Sequence, residues 1–505
     1  MNSNYILLPV LAHMFTAVVL LFCWNFVMLQ RIISVLGNLI VMLLSIFLFH
    51  EVWNNGIQTM QAGDWPAPYG ISFVADVFSS TMVLLTSIAG FTVTVFSTVG
   101  VSKARMRFGY FAILHFLLMG LNGAFLTGDI FNLYVWFEII IIASFVLMTL
   151  GGRKPQIEGG IKYVTMNLLA SVIFLTAIAI LYGLTGSLNM ADLSQKVAAV
   201  ENRGLVNVTA LLFFVGFGIK SAVFPLYFWL PSSYHTPPSA IAAIFGGLLT
   251  KVGIYALLRV FTLIFVPDQF IKITFLSVAA ATLITGALGA MVKVDIRKIF
   301  SYLIVCHIGY MIAGLGLFTE IALAGAVFYL IHDIIVKTNL FLISGVIYKI
   351  KGTVNIKELG GMYTDYPKLS LLIAIVLFSL VGIPPLSGFW PKILLFQAAF
   401  AQQSYILLLT ILIASFVTMY IIARIWSDVF WKTAPHIEEP NEDGFARMMP
   451  FRKSLLVAPV VLLALASLYI GFGAEHIMLV SAKIAAELMN PSGYINAVLK
   501  LELTP

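Results

Sequence analysis

Charge is what this 505-residue chain has least of. Asp, Glu, Lys and Arg make up 10% of it, against about 25% in a soluble domain. That shortage excludes a water-soluble globular protein. With 61% hydrophobic residues and a mean hydropathy of +1.01, a polytopic membrane protein is expected. Cysteine is nearly missing too. Cys23 and Cys306 both sit in apolar runs, which excludes a disulfide framework and a CxxC ligand set. There is no glycine-rich phosphate loop and no nucleophile motif. Nothing suggests a haem, an iron–sulfur cluster or a quinone headgroup site, so neither a cofactor nor an enzyme is expected. Protonation and electrostatics are the chemistry that remains. The alternating ten-residue strands of a membrane barrel are absent as well. The apolar runs are near 20 residues, the length of a spanning helix. The opening MNSNYILLPV has no basic leader region and runs straight into a span, so no cleavable signal is expected.

What is present is an all-α integral membrane pattern. Fourteen spans are predicted, near 4–23, 31–51, 72–100, 108–126, 129–150, 159–183, 206–230, 238–265, 270–292, 298–318, 321–348, 368–400, 404–431 and 453–486. The third, eleventh and twelfth are long enough to be tilted or broken. The net charge of +7 does not point to nucleic acid, because the basic residues concentrate in short links. Those after odd-numbered spans hold Lys103, Arg105 and Arg107, Lys293, Arg297 and Lys298, and several more. Those after even-numbered spans, with the C-terminal tail, hold only Lys196, Arg203, Lys272, Lys483 and Lys500. Odd links are therefore expected in the cytoplasm and both termini outside. The hydrophilic link 432–453 mixes both signs and reads as a solvated cytoplasmic loop, with a partner-docking role as a second possibility.

Ionisable residues inside the spans mark ion or proton pathways by default, because each costs roughly 2.5–3.5 kcal/mol by insertion scales. Lys220 and Lys251 flank a polar, Pro-rich connection that begins at Pro225. Glu138 stands in the fifth span with no charged neighbour for eight residues on either side, and needs a lysine opposite to remain ionised. His332, Asp333 and Lys337 share the eleventh span. Asp333 and Lys337 are spaced to pair on one helix face, and His332 is the better mobile-proton candidate. Lys392 follows the Pro384-Pro385 break of the twelfth span. Two broken spans, five apart, suggest two halves of opposite topology. His115 and His307 read as core histidines, and His235 as a turn residue or relay. Asp76, Asp129, Arg259 and Arg424 read as interfacial.

The segments FPLYFWLPSSYHTPPSAIAAIFGGLLTKVGIYALLR, DIRKIFSYLIVCHIGYMIAGLG, HDIIVKTNLFLISG and GIPPLSGFWPK carry a specific likeness. The chain resembles the antiporter-like membrane subunits shared by respiratory complex I, membrane-bound hydrogenases and Mrp-type cation/proton antiporters. The resemblance implies two inverted five-helix repeats, spans 4–8 and 9–13. It divides the chain into 1–107, 108–265, 266–431 and 432–505. It also implies a midplane series of Glu138, Lys220, Lys251, His332, Lys337 and Lys392, with helix breaks at Pro225, Pro384 and Pro385. The close, AKIAAELMNPSGYINAVL, is similar to the D-type branch of the Mrp antiporter subunits. That branch implies exchange of H+ and Na+ within a cell-membrane complex of subunits A, B, C, E, F and G, surrounded by lipid. A lysine at position 392 also suits the smallest antiporter-like subunit of complex I, so a proton-pumping role there, or in a membrane-bound hydrogenase, is the alternative.

Overall fold

The computed structural model describes residues 4–433 and 444–500, so the middle of the 432–453 link lies outside the described residues. Among them, twelve helices are long and apolar enough to cross a membrane. They supply the first to third spans (Asn4–Phe22, Val27–Asn55, Val77–Gly100), the fifth to eighth (Ile130–Thr149, Lys154–Thr185, Arg203–Ser221, Ser239–Leu263) and the ninth to eleventh (Gln269–Met291, Ile296–Leu317, Glu320–Lys351). Tyr405–Trp431 and Pro450–Phe472 supply the thirteenth and fourteenth. The fourth is the shorter Tyr110–Leu126, and the twelfth is the pair Pro367–Val381 and Phe389–Ala401.

Two expectations need correction. The third span begins only at Val77. Residues Ser72–Ala75 are instead a strand, paired antiparallel with Gln58–Gln61, and Asp76 caps the helix by accepting from Ser79 N. Of the two alternatives for the eleventh span, a break is not seen: Glu320–Lys351 is one helix of 32 residues. The last span stops at Phe472, and Ala474–Met489 is a separate helix. Its 16 residues reach about 24 Å, short of the ~30 Å hydrocarbon core.

The eighth, tenth and eleventh spans are almost wholly enclosed by other helices, whereas the first, second and thirteenth leave most of their apolar surface uncovered. A helix that is apolar all round can occupy either position. Small residues decide which ones meet closely. A Cβ on Gly247 would collide with Thr338 Oγ1, and one on Gly286 with the backbone of Cys306.

Two features recur in the two halves. Asp129 caps the fifth span and bridges to Asn189, while Asp295 caps the tenth and bridges to Asn355. The backbone bonds match: Ile130 N to Leu188 O and Met190 N to Gly128 O, against Ile296 N to Val354 O and Ile356 N to Val294 O. The first set joins links after even-numbered spans and the second joins links after odd-numbered ones. The breaks of the seventh and twelfth spans, residues 222–228 and 382–388, also agree. Each opens on a left-handed residue, Ala222 and Gly382, and each holds a cis X-Pro bond.

Candidate functional site

The broken seventh span positions the first basic side chain. Lys220 lies in the last turn of Arg203–Ser221, where unsatisfied carbonyls favour a cation. It is buried, donates to Ser171 Oγ at 3.3 Å and stands 4.8 Å from the Phe137 ring centre. A cavity of about 10 Å³ beside it is lined by Phe137, Tyr163, Asn167 and Tyr234 among others, near the lower limit for one water. Glu138 is half-buried, and its Oε1 is enclosed without a hydrogen-bond partner. Glu138 and Lys220 form no ion pair, so the lysine expected opposite Glu138 is not in direct contact with it.

The eighth span holds the centre of the site. Its helix opens into a π turn at Phe245–Leu249, an irregularity frequent at functional positions. The Lys251 ammonium donates to Gly246 O within that turn at 2.6 Å. Its counter-ion is Asp333 on the eleventh span, at 2.8 Å, with both side chains wholly buried. The other Asp333 oxygen accepts from His307 Nδ1 at 2.8 Å. This overturns two expectations. Asp333 does not pair with Lys337 one turn along its own helix, and His307 is a member of the charged cluster rather than an isolated core histidine. Lys337 Nζ is fully buried with no hydrogen-bond partner.

His332 faces the other way, toward the twelfth-span break. Its Nδ1 is 2.8 Å from Ser387 Oγ. Ser387 contacts Ser467 at 2.9 Å, and Ser467 donates to Ser379 at 3.1 Å. A hydroxyl has one proton to give. Ser467 therefore accepts from Ser387, and Ser387 accepts from His332. His332 therefore donates from Nδ1, and its Nε2 is enclosed without a partner. Lys392, just beyond the break, donates to Val381 O at 2.7 Å and lies 5.3 Å from the Tyr310 ring centre. Val381 is the last residue of the preceding half-helix. Lys392 therefore caps a helix end from across the break, whereas Lys220 sits in the last turn of its own half-helix and bonds Ser171.

The remaining charges resolve individually. Arg259 pairs with Asp76 at 2.5 Å, both buried, which is a tighter role than an interfacial one. Arg424 donates to Met291 O at 2.9 Å. His235 donates from Nδ1 to Pro231 O at 2.9 Å, leaving Nε2 unprotonated, and lines a cavity of about 320 Å³ with Glu158, Lys162, Lys293 and Lys298. Burial first, and the Lys298 charge second, push its pKa down to about 4. A second polar cluster had no signal in the sequence beyond its isolated polar residues. His115 Nε2 faces Ser34 Oγ and Asn38 Nδ2, and its Nδ1 is 2.9 Å from His13 Nδ1. His115 is thus a partnered core histidine.

The transmembrane family model described as NADH:quinone oxidoreductase/Mrp antiporter matches residues 127–418. The chain belongs to that family. Its match extends from the Asp129 cap through the Lys251–Asp333 pair to the thirteenth span. The chain is 43% identical over 499 residues to the D subunit of the Na+/H+ antiporter of Alkalihalophilus pseudofirmus, covering 99% of this chain and all of that one. It is 40% identical over the same span to the corresponding Na+/H+ antiporter protein of Bacillus subtilis, with the same coverage. Among solved structures, a chain of the Mrp complex from Dietzia superposes with a TM-score of 0.90 at 29% identity, covering 98% of this chain and all of that chain. A chain of an archaeal membrane-bound sulfane sulfur reductase gives 0.87 at 25%, covering 98% and 99%.

Proposed function

We propose that this chain is the proton-translocating subunit of a multi-subunit Na+/H+ antiporter in the cell membrane, and not itself an enzyme. One observation supports it above the others: Lys220, Lys251 and Lys392 are all buried, and each is held at an interruption of its own helix. Interrupted helices free backbone groups that can accompany a charge through the membrane interior. In this reading Lys220, Lys251, Lys337, His332 and Lys392 hold the proton in turn, and Glu138 sets the field at Lys220 from the fifth span. Asp333 is an exchangeable counter-ion. It can neutralise Lys251, as here, or Lys337 one turn away, but not both equally. Moving an ion pair from contact to ~8 Å changes its energy by a few kcal/mol at an effective dielectric of ~20, enough to drive a proton on or off a buried amine.

The two inverted repeats, 108–265 and 266–431, belong to this reading, with 1–107 and 432–505 as flanking units. The Asp129–Asn189 and Asp295–Asn355 bridges at opposite ends support it. So do the basic links, which favour a cytoplasmic odd side and both termini outside. The partners are Mrp-type subunits A, B, C, E, F and G. Sodium crosses in a partner or at an interface, since the row of residues here is basic rather than an oxygen-rich cage. The test is sodium-driven proton movement in vesicles carrying the assembled complex. Lys251→Met and Glu138→Gln are each expected to abolish it. Full activity in either, at normal assembly, removes the reading.

The second reading is an energy-coupling subunit of a redox complex, favoured by the superposition on a chain of the archaeal respiratory complex. Co-purification with flavin or iron–sulfur subunits would select it.

A further inference from the structure

One cluster of charged groups takes no part in this proton route. It lies at the end of the molecule that carries both termini, beneath the helix Ala474–Met489. That helix is amphipathic: Ser481, Ile484, Ala485 and Leu488 face inward, and it packs on the third, eighth and eleventh spans. Under it is a cavity of about 30 Å³ lined by Asp76, Arg259, Thr262, Glu487 and Tyr494 among others, room for about one water. Arg259 is held from several sides. Asp76 pairs with it, Tyr255 accepts from it at 3.4 Å, and the Phe78, Tyr255 and Tyr494 rings lie within 5.6 Å of its guanidinium carbon. Its charge is thereby already matched by Asp76. Glu487 is left over: Oε2 is enclosed and has no hydrogen-bond partner.

An enclosed carboxylate oxygen without a donor is costly, and the cost disappears if the group carries a proton. Burial first, and the Asp76 charge second, push the Glu487 pKa up to about 7, against opposing effects of Lys483, Arg259 and the Val77 backbone. Lys483 does not neutralise it, because its ammonium lies over the Trp53 ring at 4.4 Å. The cluster also has a line inward. Lys251, Tyr255 and Arg259 recur at every fourth residue of the eighth span, hence on one helix face, about 6 Å apart along the axis.

We propose that the cavity under Ala474–Met489 is a proton-exchange site on the terminus-bearing face, with Glu487 as the carboxyl that holds the proton. Asp76–Arg259 is the fixed ion pair beside it. This rests on the reading that Lys251 carries transported protons. The exchange is a simple acid–base step. The carboxyl O–H releases its proton to water in the cavity, and the carboxylate left behind takes the next one. Arg259 keeps its protons throughout and acts through its charge.

The test uses vesicles carrying the complete complex, with its amount checked on native gels. Glu487→Gln is expected to lower sodium-driven proton flux about 10-fold or more and to flatten its dependence on the pH of the terminus-side solution. Glu487→Asp is expected to retain that dependence with a shifted midpoint. Wild-type flux and profile in assembled Glu487→Gln overturn the proposal. If that variant fails to assemble, infrared pH-difference spectra of the purified wild-type and Glu487→Asp complexes decide. A carboxylic-acid band that titrates near neutral pH and moves in Glu487→Asp supports the site, and its absence overturns it. Loss of flux in Glu487→Gln with none in Lys251→Met would keep the site and remove the lysine route.

Discussion

The two broken helices solve one problem in opposite ways. Each leaves a half-helix C-terminus in the bundle interior, a place of partial negative charge. In the seventh span the cation is the helix's own Lys220, attached before the break and free to point into a small cavity. In the twelfth it is Lys392, attached after the break and reaching back to Val381 O. The polar surroundings differ accordingly. Around Lys220 there is one long contact to a serine. Around the twelfth-span break there is a chain of three serines ending on His332. Between them stands the Lys251–Asp333–His307 cluster, the only place among the described residues where a buried lysine of the row is directly neutralised. Lys220 and Lys392 can lose a proton without stranding a carboxylate, whereas Lys251 can do so only when Asp333 turns to another cation such as Lys337.

This contrast can be broken most severely at Asp333. Asp333→Ala leaves a buried ammonium uncompensated, so a loss of roughly 3–5 kcal/mol is expected, seen as a large fall in the thermal denaturation midpoint of the purified complex, together with loss of transport. Replacing both members, as in Lys251→Met with Asp333→Leu, should recover most of the stability and none of the transport. Next comes Gly247→Ala. The added methyl must displace Thr338 at the eighth–eleventh span contact, for about 1–3 kcal/mol and a weakened Lys251–Asp333 pair. Ser387→Ala should cost about 1 kcal/mol by removing the link between His332 and Ser467. Lys220→Met should leave denaturation nearly unchanged while stopping proton movement; a drop as large as that of Asp333→Ala would remove the distinction drawn between the two lysines. The smallest effect belongs to His235. With its pKa pushed down to about 4, it stays neutral from pH 5 upward. His235→Gln should therefore leave the pH profile of transport unchanged above pH 5, and a shifted profile there would mean that its charge matters.

Much of this is legible in the sequence. The spans, the helix breaks and the buried lysines follow from hydropathy, proline and isolated charge. A further signal becomes plain only beside the structure: GSLNMADL at 186–193 and GTVNIKEL at 352–359, each preceded by Asp-Ile at 129 and 295. Both segments open on a left-handed glycine and form the same bridge, so this structural recurrence is written in letters as well as in the proline breaks. Other features have no local signal. Asp333 and Lys337 have ideal spacing for a pair, yet Asp333 turns to a residue 82 positions earlier. Nothing in the sequence marks which of two apolar helices is enclosed, because lipid and protein select the same side chains.

Composition alone was enough to place this chain in a membrane, and the cost of a buried charge was enough to single out its lysines. Which lysine is neutralised, and by what, was settled only when the helices packed. Gly247 lets the eighth and eleventh spans approach until Lys251 meets Asp333, and the π turn supplies Gly246 O as its second partner. The helix Ala474–Met489 carries Glu487 to the side of an ion pair formed by residues more than 180 positions apart. Electrostatic partners are chosen by distance in space, and in a bundle of apolar helices that distance is set by side-chain packing across the helix contacts, not by spacing along the chain.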